Sequence, residues 1–168
     1  MDLKQTFFGV VIFAVFWAFQ AGYLNALGQH AWFVGAIIFS VLLWMIGKHV
    51  MPKASADMKE LWMFATLFVV VITFMVSYLG QYLGAVAPAG GAAAMTPFVL
   101  STWLIIYGAA MFVTGHQSKW GVTLATGLIW LVAGLHFVTS VGTGANSYLH
   151  FGALAGLPFI IYGLVTKR

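Results

Sequence analysis

Apolar positions along this chain come in long runs, and polar positions gather in the gaps between them. Six runs stand out, at about 6–27, 31–46, 61–84, 95–114, 120–139 and 147–165. A helix needs about 20 apolar residues to cross a bilayer. Lipid offers no partner for a free backbone group, so each run is expected to be a helix. The second run is the shortest and would draw on flanking residues. The expected architecture is all-α: a polytopic membrane protein with six transmembrane helices in a single transmembrane domain.

Two of the runs open and close alike. Gly28-Gln29-His30 opens the second, which ends on Gly47-Lys48-His49; Gly115-His116-Gln117 precedes the fifth, which ends near Gly134-Leu135-His136. At one constant offset Gly28 matches Gly115, Gly47 matches Gly134, His49 matches His136, Phe64 matches Phe151 and Leu67 matches Leu154. So few identities in so apolar a chain are what chance gives. What makes duplication worth considering is the matching layout of runs and gaps. The candidate half-repeats are about 1–86 and 93–168. With three spans each, they would be inverted across the membrane, a common transporter plan. The competing explanation is that any six-span chain can be cut in two.

Composition agrees with the pattern. The 168 residues are 62% apolar and 6% charged, against about 25% charged in soluble domains. The mean hydropathy is +1.01. Such a chain cannot cover a water-facing surface, so its principal partner is the lipid bilayer and its net charge of +4 is no nucleic-acid signal. Cysteine is absent, which removes disulfides and thiolate chemistry. Lys4, Lys48, Lys53, Lys59, Lys119, Lys167 and Arg168 all fall before, between or after spans on one side. This predicts both termini in the cytoplasm, by the positive-inside rule, and a place in the cell (plasma or inner) membrane. The first run is too long for a signal-peptide core and is expected to be an uncleaved span.

Punctuation residues add detail. Pro52 should stop the second helix, and Asp57 with Glu60 reads as an N-cap and its capping-box partner opening the third. The connection 85–96, rich in Gly, Ala and Pro, is either a loop or a re-entrant segment. Gly80 and Gly84, Gly152 and Gly156, and the small residues Gly121, Thr123, Gly127 and Gly134 read as helix-packing positions. Pro158 should kink the last helix, because it removes one donor and crowds the carbonyl of Leu154. The tryptophans and phenylalanines read mainly as lipid-facing bulk and interface anchors, Trp32, Trp62 and Trp120 lying near span ends.

Candidate chemistry is sparse. No Asp, Glu, Lys or Arg falls within a span, which argues against driven pumps, voltage sensors and a retinal Schiff base. No nucleophile–base spacing points to an enzyme. The mild groups Gln20, Asn25, Thr73, Ser77, Gln81, Ser101, Thr102, Thr123 and Thr126 either bridge helices or line a narrow path for a small neutral solute or weak acid. Gln20, Asn25, Gln81 and His136 are the expected outer part of that path. Histidines are the only ligand-type side chains at depth: His30, His136 and His150 toward the outer face, His49 and His116 toward the inner. As pairs they would suit haem b, and the outer three a copper or zinc ion, although no cofactor is the first expectation.

The expected function is therefore a channel or facilitator for a small neutral or weakly acidic solute. The alternative is a non-catalytic or haem- or metal-binding subunit of a larger, respiratory-type membrane complex. Either suits a homo-oligomer or an assembly with other membrane subunits. The stretch Asn146-Ser147-Tyr148-Leu149-His150-Phe151-Gly152 loosely resembles the last span of the small six-helix acetate and succinate uptake family. That family's Asn-Pro-Ala-Pro-Leu-Gly stretch at the first span is missing, so neither substrate nor residue roles carry over.

Overall fold

The computed structural model describes residues 2–23, 25–27, 30–50, 55–79, 92–119, 121–139 and 147–165. The described residues are all-helical and form six α-helices: α1 (Leu3–Gln20), α2 (His30–Val50), α3 (Ala56–Phe74), α4 (Ala92–Ser118), α5 (Gly121–Thr139) and α6 (Ser147–Val165). A 3-10 turn, Asn25–Leu27, precedes α2, and a π turn, Met75–Leu79, prolongs α3. Five helices, α1 to α4 and α6, are long and apolar enough to cross a membrane; the apolar stretch of α5, Gly121–His136, is shorter. The chain is thus a helical bundle compatible with a multi-pass membrane location.

Local chemistry sets the helix ends, and it moves several of the expected boundaries. Asp2 caps α1, its carboxylate accepting from the Gln5 backbone N–H at 3.2 Å. The helix stops at Gln20, well short of residue 27, because Gly22 takes a φ of 81°. There the Gly22 N–H bonds the Phe19 carbonyl and the Tyr23 N–H bonds the Ala18 carbonyl. This pair of bonds is a Schellman closure, which needs a left-handed residue that glycine supplies cheaply. The second helix reaches Val50 and carries Lys48 and His49 in its last turn, where cations suit the helix dipole. The third begins at Ala56, with Ser55 as its cap accepting from Met58 N at 3.2 Å. Asp57 lies in the first turn instead of capping it. Helix α4 already starts at Ala92, inside the connection expected as loop or re-entrant segment.

The first and last helices meet at one end of the bundle. The Asp2 N–H donates to the Gly163 carbonyl at 2.6 Å, and His49 Nε2 donates to both Asp2 carboxylate oxygens at 3.0 and 3.1 Å. The start of α1 and the finishes of α2 and α6 therefore converge. The indole of Trp62 donates to Thr114 Oγ1 at 3.0 Å, joining the start of α3 to the finish of α4. Lys4, Lys48, Lys59 and Lys119 are exposed at this same end, and Lys48 Nζ lies 5.1 Å from the Trp44 ring centroid.

Two helix pairs pack backbone to backbone. In α1–α6, a Cβ at Gly9 would fall 2.7 Å from the Gly156 carbonyl oxygen, and one at Gly156 would fall 2.6 Å from that of Gly9. In α4–α5, Gly108 lies against Leu131, Gly115 against Leu124 and Gly127 against Phe112. Small residues permit this approach, which is how helices gain contact in lipid. The Gly152, Gly156, Gly127 and Gly134 contacts agree with the packing read from sequence. Gly121 has open space around it, and Gly80 and Gly84 lie outside the described residues.

Four of the five matched pairs lie within the described residues, and their members do not share environments; Gly28 lies outside them. Phe151 is fully buried while Phe64 is exposed, and Leu154 packs against the core while Leu67 is exposed. Gly134 is pressed onto Ile105, whereas Gly47 has nothing within 4 Å. His49 bonds Asp2 while His136 is exposed on α5.

Candidate functional site

The bundle axis is filled by aromatic side chains. Phe16, Phe39, Trp103, Tyr107, Trp130 and Phe151 are each at most 2% exposed. Phe16 and Phe151 approach to 4.4 Å between ring centroids, Phe39 and Phe151 to 5.3 Å, and Phe39 stacks on Trp103 at 6.1 Å. Edge-on and offset contacts of this kind are the favoured geometries of aromatic pairs. This corrects the expectation that aromatics serve mainly as lipid-facing bulk. Trp17 and Trp44 are exposed, but Trp103 and Trp130 are central, and Trp120 lies outside the described residues. Period alone cannot separate core from lipid face in a helix that is apolar all round.

A cavity opens below this plug, at the end where α1 and α6 meet. Its volume is about 30 Å³, room for one or two waters. Each of the six described helices contributes to its wall: Gln5 from α1, Gly47 from α2, Trp62 from α3, Met111 from α4, Thr123 and Thr126 from α5, and Pro158 from α6. Gln5, Thr123 and Thr126 are buried polar side chains in an otherwise apolar wall.

A second polar feature runs along α3. Thr66, Thr73 and Ser77 follow Trp62 at helical spacing, and each described partner across the seam is a polar side chain. Trp62 bonds Thr114. Tyr107 and Ser40 share a 2.6 Å hydroxyl–hydroxyl bond, Ser40 itself donating to the Ala36 carbonyl. Tyr107 oxygen is also 3.5 Å from Thr66 Oγ1, a long contact. The Trp103 indole donates to Thr73 Oγ1 at 2.8 Å, and Thr73 donates onward to the Val69 carbonyl at 2.7 Å. Ser77 ends the row within the π turn, 2% exposed and with no hydrogen-bond partner for its hydroxyl. Of these residues only Thr73 and Ser77 were on the sequence-based list of path groups. Ser40, Thr66, Tyr107 and Thr114 were missed; the readable signal was that Trp62, Thr66, Thr73 and Ser77 share one face of α3 at helical spacing.

Pro158 lies within an unbroken α6. Its missing N–H leaves the Leu154 carbonyl without its helical donor. Trp130 fills the gap, its indole donating to Leu154 O at 2.9 Å. Ser101 ties α4 to α5, donating to the Gly134 carbonyl at 2.7 Å.

The expected site residues lie scattered. Gln20 is half-buried at the finish of α1, Asn25 stands in the 3-10 turn, and His136 is exposed on α5; Gln81 is outside the described residues. Gln20, Asn25 and His136 lie toward the end opposite the cavity. Among the histidines, His30 Nδ1 bonds the Tyr78 hydroxyl at 2.6 Å and His49 bonds Asp2. His116 and His150 are exposed. Among the described residues no group of three or more His, Asp or Glu side chains is placed to hold a metal ion.

The chain matches no family model, no curated protein and no solved structure. The likeness of residues 146–152 to the acetate and succinate uptake family gains nothing from these comparisons. Function must be argued from the side chains themselves.

Proposed function

We propose that this chain is a six-crossing membrane protein, its ends at the cytoplasmic face of the cell membrane, that lets a small uncharged or weakly acidic solute pass. The supporting observation is the end cavity, where the six described helices converge and three polar side chains interrupt an apolar wall. A few polar groups on apolar walls fix a small ligand without the cost of burying a charge. The exposed lysines described at that end support a cytoplasmic reading of it, by the positive-inside rule. Because aromatic rings fill the axis, passage does not run straight through the bundle centre.

The test is reconstitution into proteoliposomes, with urea, glycerol and acetic acid fluxes followed by light scattering. Faster equilibration than in protein-free vesicles for at least one solute, slowed by Thr126→Val, is the expected result. Fluxes equal to those of empty vesicles for all three would remove this reading. The filled aromatic axis favours a second reading, a non-catalytic subunit held in a larger membrane assembly. Stable co-purification with other membrane chains, together with absent flux, would select it. A Soret band in the purified protein would add haem to that reading.

A further inference from the structure

We infer that the end cavity is a binding site for a small primary amide, urea included, held by the Gln5 carboxamide with the Thr123 and Thr126 hydroxyls. This rests on the solute-passage reading and narrows the solute within it. The three side chains are 3%, 7% and 5% exposed, and among the described residues none of them finds a hydrogen-bond partner. Unlike the Ser77 hydroxyl, which is sealed as well as unpaired, they keep contact with open space. Elsewhere in the bundle Ser40, Thr73, Thr102 and Ser118 each donate to the carbonyl four residues back. Thr126 has the Val122 carbonyl in that position, yet makes no such bond; Thr123 lacks the option, because α5 begins at Gly121. Buried polar atoms are nearly always paired, so three that line one cavity call for a guest.

The chemistry of the wall selects the guest. Gln5 offers a donor and an acceptor side by side on one planar group. A primary amide presents the same edge reversed, so the two pair through two parallel hydrogen bonds and leave the guest's remaining atoms to the hydroxyls. Two waters in contact lie about 2.8 Å apart, slightly more than the nitrogen-to-oxygen span of one amide. One amide group therefore takes the place of the two waters that about 30 Å³ admits. Among the described lining residues none is ionisable, so a carboxylate would lose its hydration with no counter-charge. A carboxylic acid is almost wholly in that form at neutral pH. Polyols lack the fused donor–acceptor edge. Gln5 is also anchored: its backbone N–H donates to the Asp2 carboxylate at 3.2 Å, and His49 grips the same carboxylate.

The test is saturation-transfer NMR on the full chain in lipid nanodiscs, with formamide and acetamide as probes. Sodium acetate at pH 7 and glycerol are the comparisons, and protein-free nanodiscs set the baseline. The expected result is transfer to both amides, baseline signals for acetate and glycerol, and amide binding weakened about tenfold by Gln5→Met. The Gln5 side chain has no partner to lose, so the variant should keep its elution and keep or raise its unfolding midpoint. If Gln5→Met does not fold, Thr126→Val, which exchanges one hydroxyl for a methyl, must lower amide binding instead. Amide signals at the baseline, or unmoved by the variant that folds, overturn the inference and leave water as the guest. Acetate or glycerol bound as strongly as the amides overturns it as well. If the amides bind but proteoliposomes pass no urea, glycerol or acetic acid, the site stands and the passage reading falls. If vesicles pass glycerol or acetic acid while neither amide binds, passage stands and the amide site falls.

Discussion

The glycine seam between α4 and α5 and the hydroxyl seam between α3 and α4 share one helix, yet they are built on opposite principles. The first brings backbones together: Gly115 against Leu124 and Gly127 against Phe112 leave no room for a methyl group. The second keeps backbones apart and spans the distance with Trp62, Trp103 and Tyr107 reaching to threonines and serines. Dispersion contacts in lipid strengthen with closeness, whereas side-chain hydrogen bonds there add only a modest increment. The α1–α6 and α4–α5 pairs are therefore the rigid parts. Helix α3, with Met63, Phe64, Leu67, Phe68 and Phe74 exposed on its other side, is the element held by fewer and longer connections.

Three substitutions sharpen or break that contrast. Gly127→Ala should be the most damaging, because the added methyl meets the Phe112 backbone. A loss of about 3 kcal/mol, the upper part of the overpacking range, is expected in the unfolding midpoint of the detergent-solubilised protein. A neutral result would mean that the α4–α5 seam is looser than described. Thr73→Val comes next. It keeps the side-chain shape but strips the Trp103 indole of its acceptor, leaving a buried donor unpaired, for about 2 kcal/mol. If Thr73→Val costs as much as Gly127→Ala, the two seams are not different in kind. Gly47→Ala should have the smallest effect and the opposite sign. Nothing lies within 4 Å of that position, so the helix gains at most about 1 kcal/mol from the reduced backbone freedom. A large loss at Gly47 would point to a neighbour outside the described residues.

How much of this was readable beforehand differs from feature to feature. The packing roles of Gly152, Gly156, Gly127 and Gly134 were legible, since small residues at helical spacing have few other uses in lipid. The finish of α1 was misread because an apolar run continues past it to Leu27; the left-handed Gly22 decides the stop, and hydropathy does not register φ. Ser55 rather than Asp57 caps α3 because either residue satisfies the pattern and the chain's entry angle selects between them. The path residues Gln20, Asn25, Gln81 and His136 were chosen for polarity alone. Nothing in a one-dimensional pattern distinguishes a polar residue at a helix end from one in a shared seam.

The sequence by itself determined that this chain is helical, apolar and compatible with a membrane, because so few charges cannot solvate a water-facing surface and lipid leaves the backbone no partner but itself. It also determined that Leu154 would lack its helical donor, since Pro158 carries no N–H. Only the tertiary structure decided that Trp130 would supply that donor, that aromatic rings would fill the axis, and that Thr66, Thr73 and Ser77 would face one shared seam. In a helix apolar on every side, hydrophobicity cannot choose which face turns inward. That choice is left to close packing and to the pairing of the few polar atoms that lipid will not satisfy.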